Sequence, residues 1–295
     1  RKSINEKYKE IEELNQKIGQ QAQLLREKVR IEGIFDACIE SSKGGPTVTA
    51  ILVFGDKNRM RRARKAVNQF VAQSYPNKQI VIVNATDMSV TTHPHRLVKE
   101  VKWSDYPGDL EPTTGNMRTQ GIDLADGDLL FPFWDDDDVY DRHLLTYLVS
   151  NYQTGKAVLL NSQIRVDIRN SVSYVHVEPD GIPNTILCPK TAARFGRPTG
   201  GEDYAFWNIN WGLKSVVVDN RSFPTNTLLM RVWDGNNVLP VSAFMVPPGL
   251  DKEPYEQMGG RWMLGGNEAE HVKAVFASFG LKAEAKAPTE QPAGV

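Results

Sequence analysis

Cysteine, excess charge of either sign and long apolar runs are what this chain has least of. Its 295 residues hold two cysteines, Cys38 and Cys188, which form neither a disulfide framework nor a zinc pattern. A reducing, cytoplasmic location is the expectation. A net charge of −1 supplies no overall field for gripping nucleic acid or an anionic membrane. No apolar stretch approaches the ~20 residues a membrane-spanning helix needs, and none has the form of a secretory leader. What remains, 40% hydrophobic and 24% charged residues, is the composition of an ordinary globular protein with one good-sized core.

Proline is also missing from the opening stretch, RKSINEKYKEIEELNQKIGQQAQLLREKV, which is rich in Glu, Lys and Gln. Ile4, Tyr8, Ile11, Asn15, Ile18, Ala22, Leu25 and Val29 recur there at alternating spacings of four and three. This is a heptad seam with one polar position, and a single buried Asn fixes register and strand number in coiled coils. Residues 1–40 are therefore expected to form a coiled-coil helix through which copies of the chain associate over 4–29. The alternative is an amphipathic helix lying along its own domain, weakened at Gly19.

SSKGGP, 41–46, breaks the helix. VTAILVF (48–54), a helical stretch at 58–73 with Ala63, Val67, Phe70 and Val71 on one face, and KQIVIVNAT (78–86) then make a strand–helix–strand unit. That pattern implies an α/β fold with a parallel sheet. A second helix near 116–125 leads into a third strand, DLLFPFW (128–134). A helix at 141–152, strands at 157–160, 163–168 and 171–177, a helix at 200–212 and a strand at 213–218 complete the expected elements. The last residues, 283–295, read as a disordered tail.

Ligands of open α/β sheets bind beyond the carboxyl ends of the strands. That rule gathers Phe54 to Asp56, Asn84 to Asp87 and the run Asp135-Asp136-Asp137-Asp138 around one crevice. Four adjacent carboxylates behind a buried strand repel one another and call for positive charge. Asp135 and Asp137, pointing the same way, could share a hard divalent cation, Mg²⁺ or Mn²⁺, that also holds a diphosphate. A solvated acidic turn at the start of the next helix is the alternative.

These segments resemble the family 2 glycosyltransferases of GT-A fold, a Rossmann-like mixed sheet flanked by helices. The resemblance lies in VTAILVFGDKNR, QFVAQSYPNKQIVIVNATD, NMRTQGIDLADGDLLFPFWDDDDVY and GGEDYAFW, in that order, and covers about 48–210. It implies a metal-dependent, inverting, hexosyltransferase-like enzyme taking a nucleotide-diphosphate sugar, a UDP-sugar in the first instance. Residues 46–138 would hold the donor and 139–232 the acceptor, with 233–282 an extension. Asp137 matches the metal ligand, Asp136 a contact to the donor ribose, Asp135 the start of the motif, and Arg118 a basic residue near the donor. Asp203, in the Glu202-Asp203 pair, matches the general base.

Three positions depart from the family pattern. Asn84, with Asp87 further on, stands where an Asp usually holds the nucleobase. Trp233 replaces a late His, so that a third metal ligand is either absent or supplied by Asp234, and Phe54-Gly55-Asp56 replaces the usual pocket rim. Alternatives are a nucleotidyltransferase, which releases pyrophosphate, and a catalytically silent oligomeric scaffold. The acceptor (saccharide, protein, lipid or nucleic acid) is not indicated by the residues. The basic run RMRRARK, 59–65, is expected to present Arg61, Arg62, Arg64 and Lys65 as a solvated helix face, THPH (92–95) to be a loop, and Trp207, Trp211 and Trp233 to line a sugar site or fill the core.

Overall fold

The computed structural model describes residues 4–106, 110–167, 172–192, 206, 215–221, 224–233 and 261–263. It opens with one long helix, α1 (Ile4–Ser41). Residues 11–23 are all exposed, whereas Phe35 near the far end is buried and its ring stacks on His143 at 4.2 Å. Among the described residues, only the last turns of α1 thus touch the domain, which goes against a helix lying along it.

The chain then turns at Gly44, whose φ of +69° is the left-handed conformation glycine adopts without strain. β1 (Val48–Phe54) follows, then a single 3₁₀ turn and α2 (Met60–Val71), β2 (Lys78–Asn84), β3 (Val98–Lys102), α3 (Thr114–Asp123) and β4 (Leu129–Phe131). These strands and the short β9 (Cys188–Pro189) form a sheet in the order β3-β2-β1-β4-β9, parallel except for β9. The α/β expectation holds.

Both faces of this sheet are covered, which is why its central strands read as unbroken apolar runs rather than alternating ones. Val48, Ala50, Leu52, Ile80 and Ile82 pack with Ala63, Ala66, Val67 and Phe70 of α2. The intervening residues face α3: Val81 and Val83 meet Met117, and Ile51 meets Ile122. α3 approaches so closely that a Cβ on Gly121 would lie 2.5 Å from Ile51 Cγ2.

β3 was not expected. Its sequence, VKEVK, is charged at Lys99, Glu100 and Lys102 and forms the half-buried edge of the sheet. β4 is shorter than the 128–134 run suggested, because Pro132 cannot donate to the ladder. β5 (Val139–Tyr140), α4 (Leu144–Ser150), β6 (Ala157–Leu160), β7 (Ser162–Asp167) and β8 (Val172–Val177) continue the chain. β10 (Ser215–Val218) pairs with β6. β11 (Leu229–Trp233) and β12 (Arg261–Met263) complete a second sheet, β12-β8-β7-β11-β5, that joins the first where the chain leaves the acidic run. The expected helix at 200–212 and tail at 283–295 lie outside the described residues, apart from Phe206.

Candidate active site

Parallel register sets the site. Phe54 and Asn84 are direct partners at the carboxyl ends of β1 and β2. The chain leaving β4 stays tied to this edge, with Trp134 N–H donating to Ile51 O at 3.2 Å. Trp134 is fully buried; its indole N–H donates to Ala66 O at 2.9 Å, and its ring stacks on Tyr140 at 3.9 Å. The Tyr140 hydroxyl in turn accepts from Asp135 N–H and donates to Phe133 O at 3.1 Å. An aromatic plug beneath the acidic run therefore fixes its backbone, as preorganised ligands require.

Among the described residues, Asp135, Asp137 and Asp138 bring carboxylate oxygens within 4.8 Å of one another. Sequence reasoning named the first two; the buried Asp138 was missed. Two arginines supply much of the compensating charge. Arg59 reaches Asp136 and Asp137 with one Nη2, 2.8 Å from the latter. Arg118 donates to Asp135 Oδ1 and to Pro132 O, both at 2.5 Å, with its guanidinium 4.8 Å above the Phe133 ring.

The carboxyls consequently differ. Burial alone would raise Asp135, but Arg118 outweighs it and holds the group below its usual value. Burial pushes Asp136 up to about 7, against the pull of Arg59. Asp138 is 2% exposed and driven well above the carboxylate range, by burial first and then by Asp137 beside it. Its Oδ1 accepts from Val232 N–H at 3.3 Å, tying β11 to the run. Oxygen donors this close together fit a hard divalent ion.

Several expected roles change. Phe54 is 2% exposed and belongs to the core, not to a ligand rim. Arg118 is equally buried, and its Nη2 donates to Asp135. Asp56 is exposed and caps the 3₁₀ turn, accepting from Asn58 N–H at 2.9 Å.

Asn84 has no amide capacity left: it donates to Met88 O and Glu100 Oε1 and accepts from Thr86 N–H and Oγ1. Asp87, on the loop it braces, is exposed. The basic helix is not wholly solvated either. Arg61 and Arg64 are exposed, but Arg62 and Lys65 are half-buried, and burial with Arg62 nearby lowers Lys65 to about 8. Arg59 itself could have been suspected only from its place just past the first strand.

Glu202, Asp203, Trp207, Trp211 and Asp234 lie outside the described residues. Of that segment Phe206 is described: it is fully buried, edge-on to Phe133 at 5.6 Å.

No family model and no curated protein matches the chain. Solved structures do resemble it. Staphylococcus aureus TarS 1–349 in complex with UDP-GlcNAc is 14% identical over 72% of this chain and 64% of that one, with a TM-score of 0.48. The mannosyltransferase PcManGT from Pyrobaculum calidifontis, in complex with GDP-Man and Mn²⁺, is 13% identical over 86% and 72%, with a TM-score of 0.43. Glucosyl-3-phosphoglycerate synthase from Mycobacterium tuberculosis, in complex with Mn²⁺ and UDP-glucose, is 10% identical over 71% and 77%, with a TM-score of 0.42. The chain spans 60% of the first TarS chain it matches, 64% of a second and 72% of a third. At these identities and TM-scores the likenesses assign no activity to this chain. Among the described residues, no helix is long and apolar enough to cross a membrane.

Proposed function

We propose that this chain is a metal-dependent glycosyltransferase of GT-A type that moves a sugar from a nucleotide-diphosphate sugar to an acceptor hydroxyl with inversion. The observation that carries the reading is the cluster of Asp135, Asp137 and Asp138 oxygens within 4.8 Å, at the ligand edge of a parallel sheet. The sequence resemblance across 48–210 points the same way.

Asp135, Asp137 and Asp138 would hold Mn²⁺ or Mg²⁺, which when bound supplies charge neutralisation for a departing diphosphate. Arg59 is the mobile partner in this reading. It neutralises Asp136 and Asp137 in the free protein and turns onto the diphosphate when the donor arrives, leaving the carboxylates to the metal. Asp203 accepts the proton of the acceptor hydroxyl as that oxygen bonds to the anomeric carbon; the bond to the diphosphate oxygen breaks, and the nucleoside diphosphate leaves. Glu202 stands beside it in the sequence. Phe206 supports the assignment of Asp203, because it anchors the chain three residues later against Phe133, two residues before Asp135. Asp87 remains the exposed candidate for the nucleobase, with uridine the nucleotide the resemblance implies.

A thermal-shift titration with UDP, GDP, CDP and TDP, with and without Mn²⁺, tests the reading, since a ligand of the folded state must stabilise it. One nucleotide should raise melting only with metal, and Asp137→Ala should abolish the rise. With the matching nucleotide sugar, release of nucleoside diphosphate supports glycosyl transfer, whereas pyrophosphate would make the chain a nucleotidyltransferase. No shift with any nucleotide would remove the donor site and leave the silent scaffold.

A further inference from the structure

The strongest unassigned feature is the long opening helix. Ile11, Leu14, Ile18, Leu25 and Val29 are 55%, 58%, 55%, 63% and 61% exposed along α1. Large apolar side chains left in water at helical spacing along one helix are unusual for a monomer. A single helix of this kind draws its stability from packing its apolar face rather than from propensity.

Among the described residues, its own domain does not supply that packing. The residues that dock α1, namely Ile31, Phe35 and Cys38, point roughly 140° around the helix from the Ile11–Ile18–Leu25 line, counting 100° per residue. α1 is thus apolar on two faces in succession: the last turns are held against α4 and His143, and the seam is turned away.

We propose that the seam is covered by the same seam of a second copy, in a parallel two-stranded coiled coil. In heptad terms Ile11, Ile18 and Leu25 occupy d, and Asn15, Ala22 and Val29 occupy a. Parallel, in-register pairing sets Asn15 opposite Asn15 of the second copy, where the two amides bond to each other. An antiparallel pairing would set Asn15 against an apolar d residue and leave its amide unpaired. A lone Asn at a is the feature that specifies two parallel strands.

Charge agrees. Parallel pairing brings Lys7 at g to Glu12 at e of the second copy, and the remaining g–e pairs (Leu14–Gly19, Gln21–Arg26 and Lys28–Gly33) oppose no like charges. The seam ends where α1 meets its domain, since the next positions, Glu32 and Asp36, are exposed acids. Both domains would therefore emerge from one end of the coiled coil, side by side.

Sedimentation equilibrium of the full chain tests this. The expected mass is twice the 33.1 kDa of one chain, falling to 33.1 kDa in the Ile18→Lys/Leu25→Lys variant. That variant should keep the melting temperature of the domain, because neither residue touches it. Asn15→Cys in a Cys38→Ser background should form an interchain disulfide on mild oxidation, which requires parallel register. A wild-type mass of 33.1 kDa at all micromolar concentrations, a doubled mass that survives the two lysines, or no Asn15→Cys disulfide in a dimer would each overturn the proposal.

Discussion

Arg59 and Asp137 lie 78 residues apart in the sequence, yet the guanidinium Nη2 stands 2.8 Å from Asp137 Oδ2 and also reaches Asp136. A cation of the protein therefore stands on Asp137, one of the carboxylates that the proposed metal needs. Charge-assisted hydrogen bonds of this sort are worth about 1.5–3 kcal/mol, or roughly ten- to a hundredfold in an equilibrium constant. Arg59→Ala should accordingly bind Mn²⁺ alone about tenfold or more tightly than wild type, and bind nucleotide diphosphate more weakly. Calorimetric titration with Mn²⁺ and then UDP reads both. Equal Mn²⁺ affinity in the two proteins would show that Arg59 does not compete.

Asp138 leads to an opposite pairing of stability and function. Its carboxyl is 2% exposed, and its folded value is raised, so ionisation above the ordinary carboxylate range costs folding energy. Asp138→Asn removes that cost and keeps an oxygen for Val232 N–H. At neutral pH the variant should melt no lower than wild type, and about 2–4 °C higher for each kcal/mol relieved. The metal-dependent nucleotide shift should nevertheless vanish. A variant that melts lower and still shows the shift would place the carboxylate outside the metal set.

Arg118 is the converse case, a buried cation whose partners cannot do without it. Its loss strands the Asp135 carboxylate and the Pro132 carbonyl. Breaking a buried pair from one side typically costs about 3–5 kcal/mol. Arg118→Ala should lower stability by that order in urea unfolding. Arg118→Lys, which cannot bond both partners in the same fork, should recover only part of it.

How much of this was readable from the sequence depended on where each side chain finds its partner. β1 and β2 announced themselves because strands covered on both faces are apolar throughout. β3 did not, because Lys99 and Lys102 satisfy their charges individually, on Leu124 O and on Thr86 O, a solution invisible in VKEVK. The two-residue strands β5 and β9 exist only through pairing with distant segments. The acidic run was conspicuous, but its counter-charges were not: Arg118 is 17 residues from Asp135 and Arg59 is 77 from Asp136. Burial also reassigned two named residues, since Phe54 falls on the core face of β1 and Asn84 spends its amide within the protein.

Glu100 shows the same bracing from the other side and gives a pH test. Its carboxylate accepts from Thr91 Oγ1 and N–H at 2.6 and 3.0 Å, Val90 N–H at 2.9 Å, Ser89 Oγ at 2.7 Å and Asn84 Nδ2 at 2.7 Å. Burial opposes its charge, but the bonds from Thr91, Val90 and Asn84 outweigh it and bring the group from 4.5 down to about 2. A depressed acid stabilises the fold fully above its unfolded value and loses that contribution as pH falls through the folded one. The window thus runs from about pH 4.5 down to about 2. Glu100→Gln should melt well below wild type at pH 7, by roughly 1–3 kcal/mol for the donors left poorly paired, and the gap should close across that window. Because the same bonds brace the loop that carries Asp87, the variant should also bind nucleotide more weakly at pH 7. A gap that stays constant from pH 7 to pH 3 would mean that the carboxylate contributes through packing and not through its charge.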